Sequence, residues 1–206
     1  MEFDKVELDL TKKIISTGLE KAVESMAFFT KEEMKVNSLE VKIRPFPFLG
    51  NLLNKSSDEE FTLLTSEIKG EVNGVCYLIF SKDEVDEILN VSLPASILND
   101  PEKMKMMGDA MLLEMDNIVV ASVITALSNA LKNSMYGNVP AIQKTDASGL
   151  MDIFEGSKKT GDYFLYFKSE FKSNTLNMNP DFIWFLDDNY EQGLKKLVRE
   201  NNQGLN

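Results

Sequence analysis

The chain has no histidine among its 206 residues. That excludes imidazole-activated nucleophiles, histidine metal ligands and histidine general bases. A single cysteine, Cys76, excludes an internal disulfide and cysteine-rich zinc sites, and this usage predicts a reducing, cytoplasmic compartment. Basic residues are scarce, 22 Lys and Arg against 33 Asp and Glu, for a formal charge of −11. With no basic tract there is no footprint for a phosphate backbone, so nucleic acid is not an expected partner. The same sign opposes docking on anionic lipid. No run of about 18 apolar residues occurs, so no membrane-inserted helix is expected. Met1 to Leu10 lacks the apolar core of a signal peptide. Neither GxxxxGK[ST] nor GxGxxG is present, so nothing predicts a nucleotide cradle.

What is present is an ordinary globular composition, 43% hydrophobic, long enough for one well-buried domain. From Thr11 to Phe29, Ile14, Ile15, Leu19, Ala22, Val23 and Met26 recur at three- and four-residue spacing, which predicts an amphipathic helix capped by Thr11. A polar turn over Lys31 to Val36 follows. Leu39 to Ile43 alternates with period two and reads as a half-buried strand ended by Pro45 and Pro47. Leu49 to Glu60 reads as a loop. Phe61 to Ile68 is a second strand, and Gly70, Asn73 and Gly74 supply turn chemistry. Val75 to Phe80 is apolar throughout, as expected of a strand covered on both faces, and Ser81 is placed to cap a helix.

The order then repeats. Met104 to Leu131 is a long helical pattern, Val139 to Ile142 a short strand, Ser148 to Phe154 a helical turn, and Tyr163 to Phe171 and Phe182 to Leu186 two more strands. Asp187 and Asp188 precede a final helix over Tyr190 to Arg199, and Glu200 to Asn206 reads as a frayed tail. Two such units, about 11–92 and 101–200, predict a single α+β domain with pseudo-two-fold character. About six mostly antiparallel strands form its sheet, and the two long helices pack on one face.

In the second long helix, at about 100° per residue, Glu114, Asn117, Ala121, Thr125, Ser128 and Lys132 share one stripe. Leu112, Val119, Val123, Ala126, Leu127 and Ala130 take the other side. The helix is expected to bury the second set and offer the first to solvent. Glu114 and Asn117, three apart, project together, and the small Ala121 one turn on lets another surface approach. Asp116 falls towards the apolar side, where nothing in the sequence accounts for it beyond a local hydrogen bond. Alone, Glu-x-x-Asn describes a solvated helix face. Here Pro140 follows Asn117 after 22 intervening residues, past the end of the helix.

With that proline the chain resembles the CheC/CheX/FliY group of chemotaxis phosphatases, whose motif is [DS]-x3-E-x2-N-x22-P. Glu114, Asn117 and Pro140 match in type and spacing, and the surrounding Glu-Met-Asp-Asn-Ile-Val-Val-Ala also looks like that family's helix. Two positions depart from the pattern. Ala110 occupies the [DS] site, with Asp109 one residue early, and the first long helix carries no Glu-x-x-Asn, so the chain looks single-sited in the CheX manner.

The resemblance implies a cytoplasmic bacterial phosphatase of a phosphorylated CheY-like receiver domain. Asn117 would orient the attacking water and Glu114 would pair with the receiver's lysine, with Pro140 and Ala121 supporting the motif. The Mg²⁺ would sit on the receiver, and no cofactor or metal of the chain's own is implied. CheD and a second copy of the chain are further partners the resemblance leaves open. The alternative is a non-enzymatic CheC- or FliM-like interaction or adaptor protein on the same fold. No flagellar-switch extension follows Asn206, which points away from FliY. Elsewhere the simple readings hold: Cys76 and Trp184 as core, Asp187, Asp188 and Glu191 as helix-start charges, and Met104, Met106, Met107, Met111 and Met115 as mostly core or gap filling.

Overall fold

A computed structural model describes residues 3–53, 59–160 and 163–203. The first helix, α1, spans Lys5–Thr30. It begins six residues before the expected Thr11 because Asp4 and Glu7 form a reciprocal cap: the Glu7 amide donates to Asp4 Oδ1 at 2.8 Å, and the Asp4 amide donates to Glu7 Oε2 at 2.9 Å. Thr11 is instead buried inside α1, its Oγ1 2.9 Å from the Tyr190 hydroxyl. Lys31, at φ 56°, closes the helix in the left-handed region, and β1 follows directly over Lys35–Pro45.

The chain then makes a 3-10 turn over Phe46–Phe48 and a short helix, α2, over Leu49–Leu53, where the sequence reads as a loop. Part of that expected loop, 54–58, lies outside the described residues. A hairpin of β2 (Phe61–Gly70) and β3 (Gly74–Ser81) leads into α3 (Lys82–Ser92), with Ser81 and Glu84 forming a second capping box. After the one-turn α4 (Ala95–Leu98) comes α5, Pro101–Leu131. Its length and composition would suit a membrane span, contrary to the sequence expectation. Its apolar side is nonetheless committed to the protein core.

The second half continues with β4 (Met135–Gly137), β5 (Ala141–Thr145), α6 (Ala147–Ser157), β6 (Tyr163–Lys172), the two-residue β7 (Asn177–Met178), β8 (Asp181–Leu186) and α7 (Asp188–Gln203). Residues 200–203, expected to fray, extend α7, and 204–206 lie outside the described residues. Of the expected strand over Val139 to Ile142 only Ala141 and Ile142 lie in a strand, the start of β5, and β4 is a separate piece before it. Val139 and Pro140 sit in the break between β4 and β5, because proline has no amide for the ladder. Both pieces pair with β2, Met135 opposite Gly70 and Ala141 opposite Thr65.

The sheet has eight strands, not about six, in the order β1-β6-β8-β3-β2-β4, with β5 also on β2 and β7 on β6. The surplus is the split edge strand and the small β7. Every pairing is antiparallel. Both faces are covered. Alternate residues of the central strands, Leu64, Ile68, Cys76, Leu78, Phe80, Phe182 and Trp184, pack under α1 and α5. The intervening ones, Phe61, Leu63, Tyr77, Ile79, Ile183 and Phe185, pack under α2 and α6. The continuous apolar runs of β3 and β8 follow from this double coverage. The two long helices do lie on one face. They meet at Gly18, where an added Cβ would stand 2.7 Å from Val123 Cα and 3.1 Å from the Ser122 carbonyl oxygen.

Candidate functional site

Helix α5 is defined at both ends by local chemistry. Asp100 Oδ1 accepts from the Lys103 amide at 3.2 Å, Pro101 occupies the first turn, and Lys132 closes the helix at φ 56°. Between these ends the apolar side, Met111, Leu112, Met115, Val119, Val120, Val123, Ile124 and Leu127, is buried. The opposite side follows the expected stripe: Glu114, Asn117, Ala121, Thr125 and Lys132 are exposed, and Ser128 is half-buried. Among the described residues no hydrogen bond or ion pair engages Glu114 or Asn117, so both side chains stand available to a partner. Thr125 is occupied locally, donating to the Ala121 carbonyl at 2.7 Å.

Ala110, one turn before Glu114, is also exposed, so the position where the motif carries Asp or Ser presents only a methyl group. Asp109 does not substitute for it. It is half-buried, pairs with Lys105 at 3.2 Å, and faces a groove of about 420 Å³ lined by Leu89, Met104, Gly108, Leu112 and Ile142. Met111 and Met115 are core, whereas Met106 and Met107 are exposed on the first turns of α5. Val139 and Tyr136 are the other large exposed apolar residues near the end of α5, 91% and 58% accessible. They belong to the same connection as Pro140, which breaks the edge strand, while Gly137 lies against Ile124 and Val120 of α5. Glu114, Asn117 and Ala121 thus share one open face, and Pro140 shapes the strand that borders α5.

One residue of this helix has a role the sequence does not reveal. Asp116 is fully buried between α5 and the sheet, and its Oδ2 accepts from the Ser66 hydroxyl of β2 at 2.7 Å. Its Oδ1 has no partner among the described residues. Burial pushes its carboxyl up to about 6, the Ser66 hydrogen bond opposing the rise. Ser66 stands opposite Cys76 on β3, whose thiol is raised by burial first and then by Asp116. The signal in the sequence is a carboxylate in an apolar stripe; its partner, about fifty residues earlier, carries none. The Asp187 and Asp188 pair lies at the start of α7, where Asp187 Oδ2 accepts from the Asn73 amide at 3.1 Å. Trp184 and Cys76 are core. Among the described residues no cluster of three or more acidic or cysteine side chains is placed to hold a metal ion.

No protein-family model matches the chain, and no curated protein sequence matches it significantly. Solved structures do. FliY of Thermotoga maritima superposes with a TM-score of 0.71 at 15% identity, over 97% of this chain and 99% of that one. The FliM middle domain of H. pylori gives 0.60 at 13% identity, over 94% and 99%. CheX of Desulfovibrio desulfuricans gives 0.51 at 13% identity, over 85% and 99%. The solved FliY chain is matched over nearly all its length, which runs against the expectation that pointed away from FliY. The resemblance first carried by Glu114, Asn117 and Pro140 is therefore met in three dimensions: the chain has the fold that FliY, CheX and the FliM middle domain share.

Proposed function

We infer that this chain is a phosphatase of a phosphorylated CheY-like receiver domain in chemotaxis signalling. The observation that carries the reading is the paired, exposed and unengaged Glu114 and Asn117 on the free side of α5, on a fold shared with CheX and FliY. An aspartyl phosphate hydrolyses when water attacks phosphorus in line with the bond to the carboxylate oxygen. That P–O bond breaks, releasing inorganic phosphate and restoring the carboxylate. The receiver supplies Mg²⁺ and a lysine, so the second protein contributes positioning and electrostatics. The Asn117 amide offers a carbonyl that accepts from the attacking water and an NH₂ that donates. Glu114, one helical turn away, is placed to meet the receiver's lysine and set the docking register. Met106 and Met107 extend the same helix with flexible apolar surface.

The test is phosphate release from a phosphorylated CheY-like receiver with and without the protein, and with Asn117→Ala. Acceleration lost in the variant supports the reading; no acceleration by the unmodified protein refutes it. A second reading is a non-enzymatic interaction role, favoured by the likeness to FliM middle domains, including one from a FliG–FliM complex of H. pylori. It expects unchanged phosphate release together with stable binding of a switch protein.

A further inference from the structure

The buried side of α5, packed against α1 and the sheet, is nearly all apolar: Met115, Val119, Val120, Val123, Ile124 and Leu127. Such contacts are individually non-directional; close packing seats the helix, and a hydrogen bond adds an angular constraint that they do not supply. Gly18 of α1 fixes how closely α1 approaches at Val123, but it too is a van der Waals contact. The directional contact in the centre of this surface is the 2.7 Å bond from Ser66 Oγ to Asp116 Oδ2. Both residues are essentially inaccessible, at 1% and 0%.

Asp116 precedes Asn117 by one residue and follows Glu114 by two. At about 100° per residue the three are locked into one rigid turn, with Asp116 against the sheet and the other two outside. A rotation of α5 by about 20° would carry side-chain tips by about 2 Å. That would break the Ser66 bond and move the Asn117 amide by the same amount. Water positioning is sensitive to displacements of about 1 Å. A leucine in place of Asp116 would pack here without leaving an unpartnered carboxylate oxygen in the core. The presence of an acid breaks the local rule of an apolar interface, and such breaks concentrate where function is served.

We propose that Asp116, held by Ser66, is a positioning residue that sets the rotation of α5 and thereby aims Glu114 and Asn117 at the partner. The proposal rests on the phosphatase reading for its consequence, though not for its geometry. The groups that face Asp116 are the Ser66 hydroxyl on β2 and, across the hairpin, the Cys76 thiol on β3. Asp116 touches no reacting atom; it acts through the helix backbone on Asn117.

The experiment compares the unmodified protein with Asp116→Leu, Asp116→Asn and Ser66→Ala. Steady-state phosphate release is measured as phosphorylated receiver is varied. The Asp116→Leu side chain fills the core but cannot accept a hydrogen bond, and Ser66→Ala removes the donor. Both are expected to lower kcat about tenfold or more, with KM changed less than about twofold. Asp116→Asn keeps an acceptor oxygen for Ser66 and is expected to stay within about threefold of the unmodified kcat. A merely structural Asp116 would let a stably folded Asp116→Leu turn over normally, and that result overturns the proposal. A second readout is independent of catalysis: the side-chain amide resonances of Asn117 in isotope-labelled protein. In Asp116→Leu and Ser66→Ala they are expected to move while resonances of β1 and β6 stay in place; coincidence with the unmodified protein overturns the proposal. If the unmodified protein does not accelerate release, the phosphatase reading fails and the resonances alone decide whether Asp116 aims the helix.

Discussion

Replacing Asp116 by asparagine should stabilise the protein at neutral pH and leave it little changed in acid. A carboxyl in water titrates near 3.8, whereas burial moves Asp116 up to about 6. Below 3.8 both folded and unfolded chains hold the proton, and the acid costs nothing by linkage. Between 3.8 and about 6 the unfolded chain releases a proton that the folded chain retains, so stability falls as pH rises. Above about 6 the loss is complete and the curve is flat in this group. At about 1.4 kcal/mol per pK unit, the full loss is about 3 kcal/mol. The asparagine of the Asp116→Asn variant matches the shape of the protonated acid and carries no charge to bury, so it escapes the loss. The assay is urea denaturation of both proteins between about pH 4 and pH 8, read as the difference in unfolding free energy. The other carboxylates titrate in both proteins and cancel. The difference should grow by about 2 kcal/mol or slightly more from about pH 4 to pH 7 in favour of the Asp116→Asn variant, and then level. A difference that stays constant with pH, or favours aspartate as pH rises, would refute the claim that the buried carboxyl resists ionisation.

Asn117→Ala should lower turnover by about 10²-fold with receiver affinity largely kept, because water positioning acts in the transition state. Glu114→Ala should raise KM as well, since it deletes a charge pair formed on docking; steady-state kinetics separate the two. Gly18→Ala should cost about 1–3 kcal/mol in a denaturant titration, because the new Cβ would stand 2.7 Å from the Val123 Cα and backbone cannot step aside cheaply. Tyr190→Phe should cost about 1–2 kcal/mol, since it leaves the buried Thr11 hydroxyl without its 2.9 Å partner; an unchanged denaturation midpoint would show the pair to be inert.

The parts of the structure that are legible from sequence are those where local chemistry and burial agree. The α1 stripe through Ile15, Leu19 and Met26, the cap at Ser81, the doubly covered β3 and the polar stripe of α5 all lie where periodicity and capping put them. Misreadings fall where a distant partner decides. Thr11 looks like a cap because its hydroxyl suits one, but Tyr190 in α7 claims it, and Asp4 with Glu7 starts the helix instead. Val139 and Ile142 look like one strand because both are β-branched and apolar; Val139 and Pro140 instead fall in a break, and the edge of β2 pairs with β4 before it and β5 after it. The helices that cover the second face, α2 and α6, read as a loop and a turn because α2 is barely one turn long and α6 carries Gly149 and Gly156, which read as turn chemistry. At the candidate site, Glu114 and Asn117 are legible because spacing alone puts them together. The Asp116–Ser66 contact is not, because no local pattern links residues about fifty positions apart.

The same topology explains why the candidate site, whose side chains all come from the second half, is built on both halves of the chain. Each half runs helix, strand, short helix, strand, strand, helix, yet neither keeps its own first strand. β1 has β6 of the second half as its neighbour, and β4 and β5 of the second half pair with β2 of the first. The third strands, β3 and β8, join at the centre. Helix α5 therefore comes from the second half but is seated through Ser66 on a strand of the first half, beside Cys76 of the same hairpin. The connection after α5 then crosses to the edge of that same hairpin, with Pro140 in its break. In this exchange α1 lacks a Glu-x-x-Asn pair and contributes backing, its Gly18 pressed on the α5 backbone from the side away from the open stripe. One helix presents the side chains and the other supports it. On the phosphatase reading, that division of labour lets two similar halves serve a single site, with α1 acting as part of its scaffold.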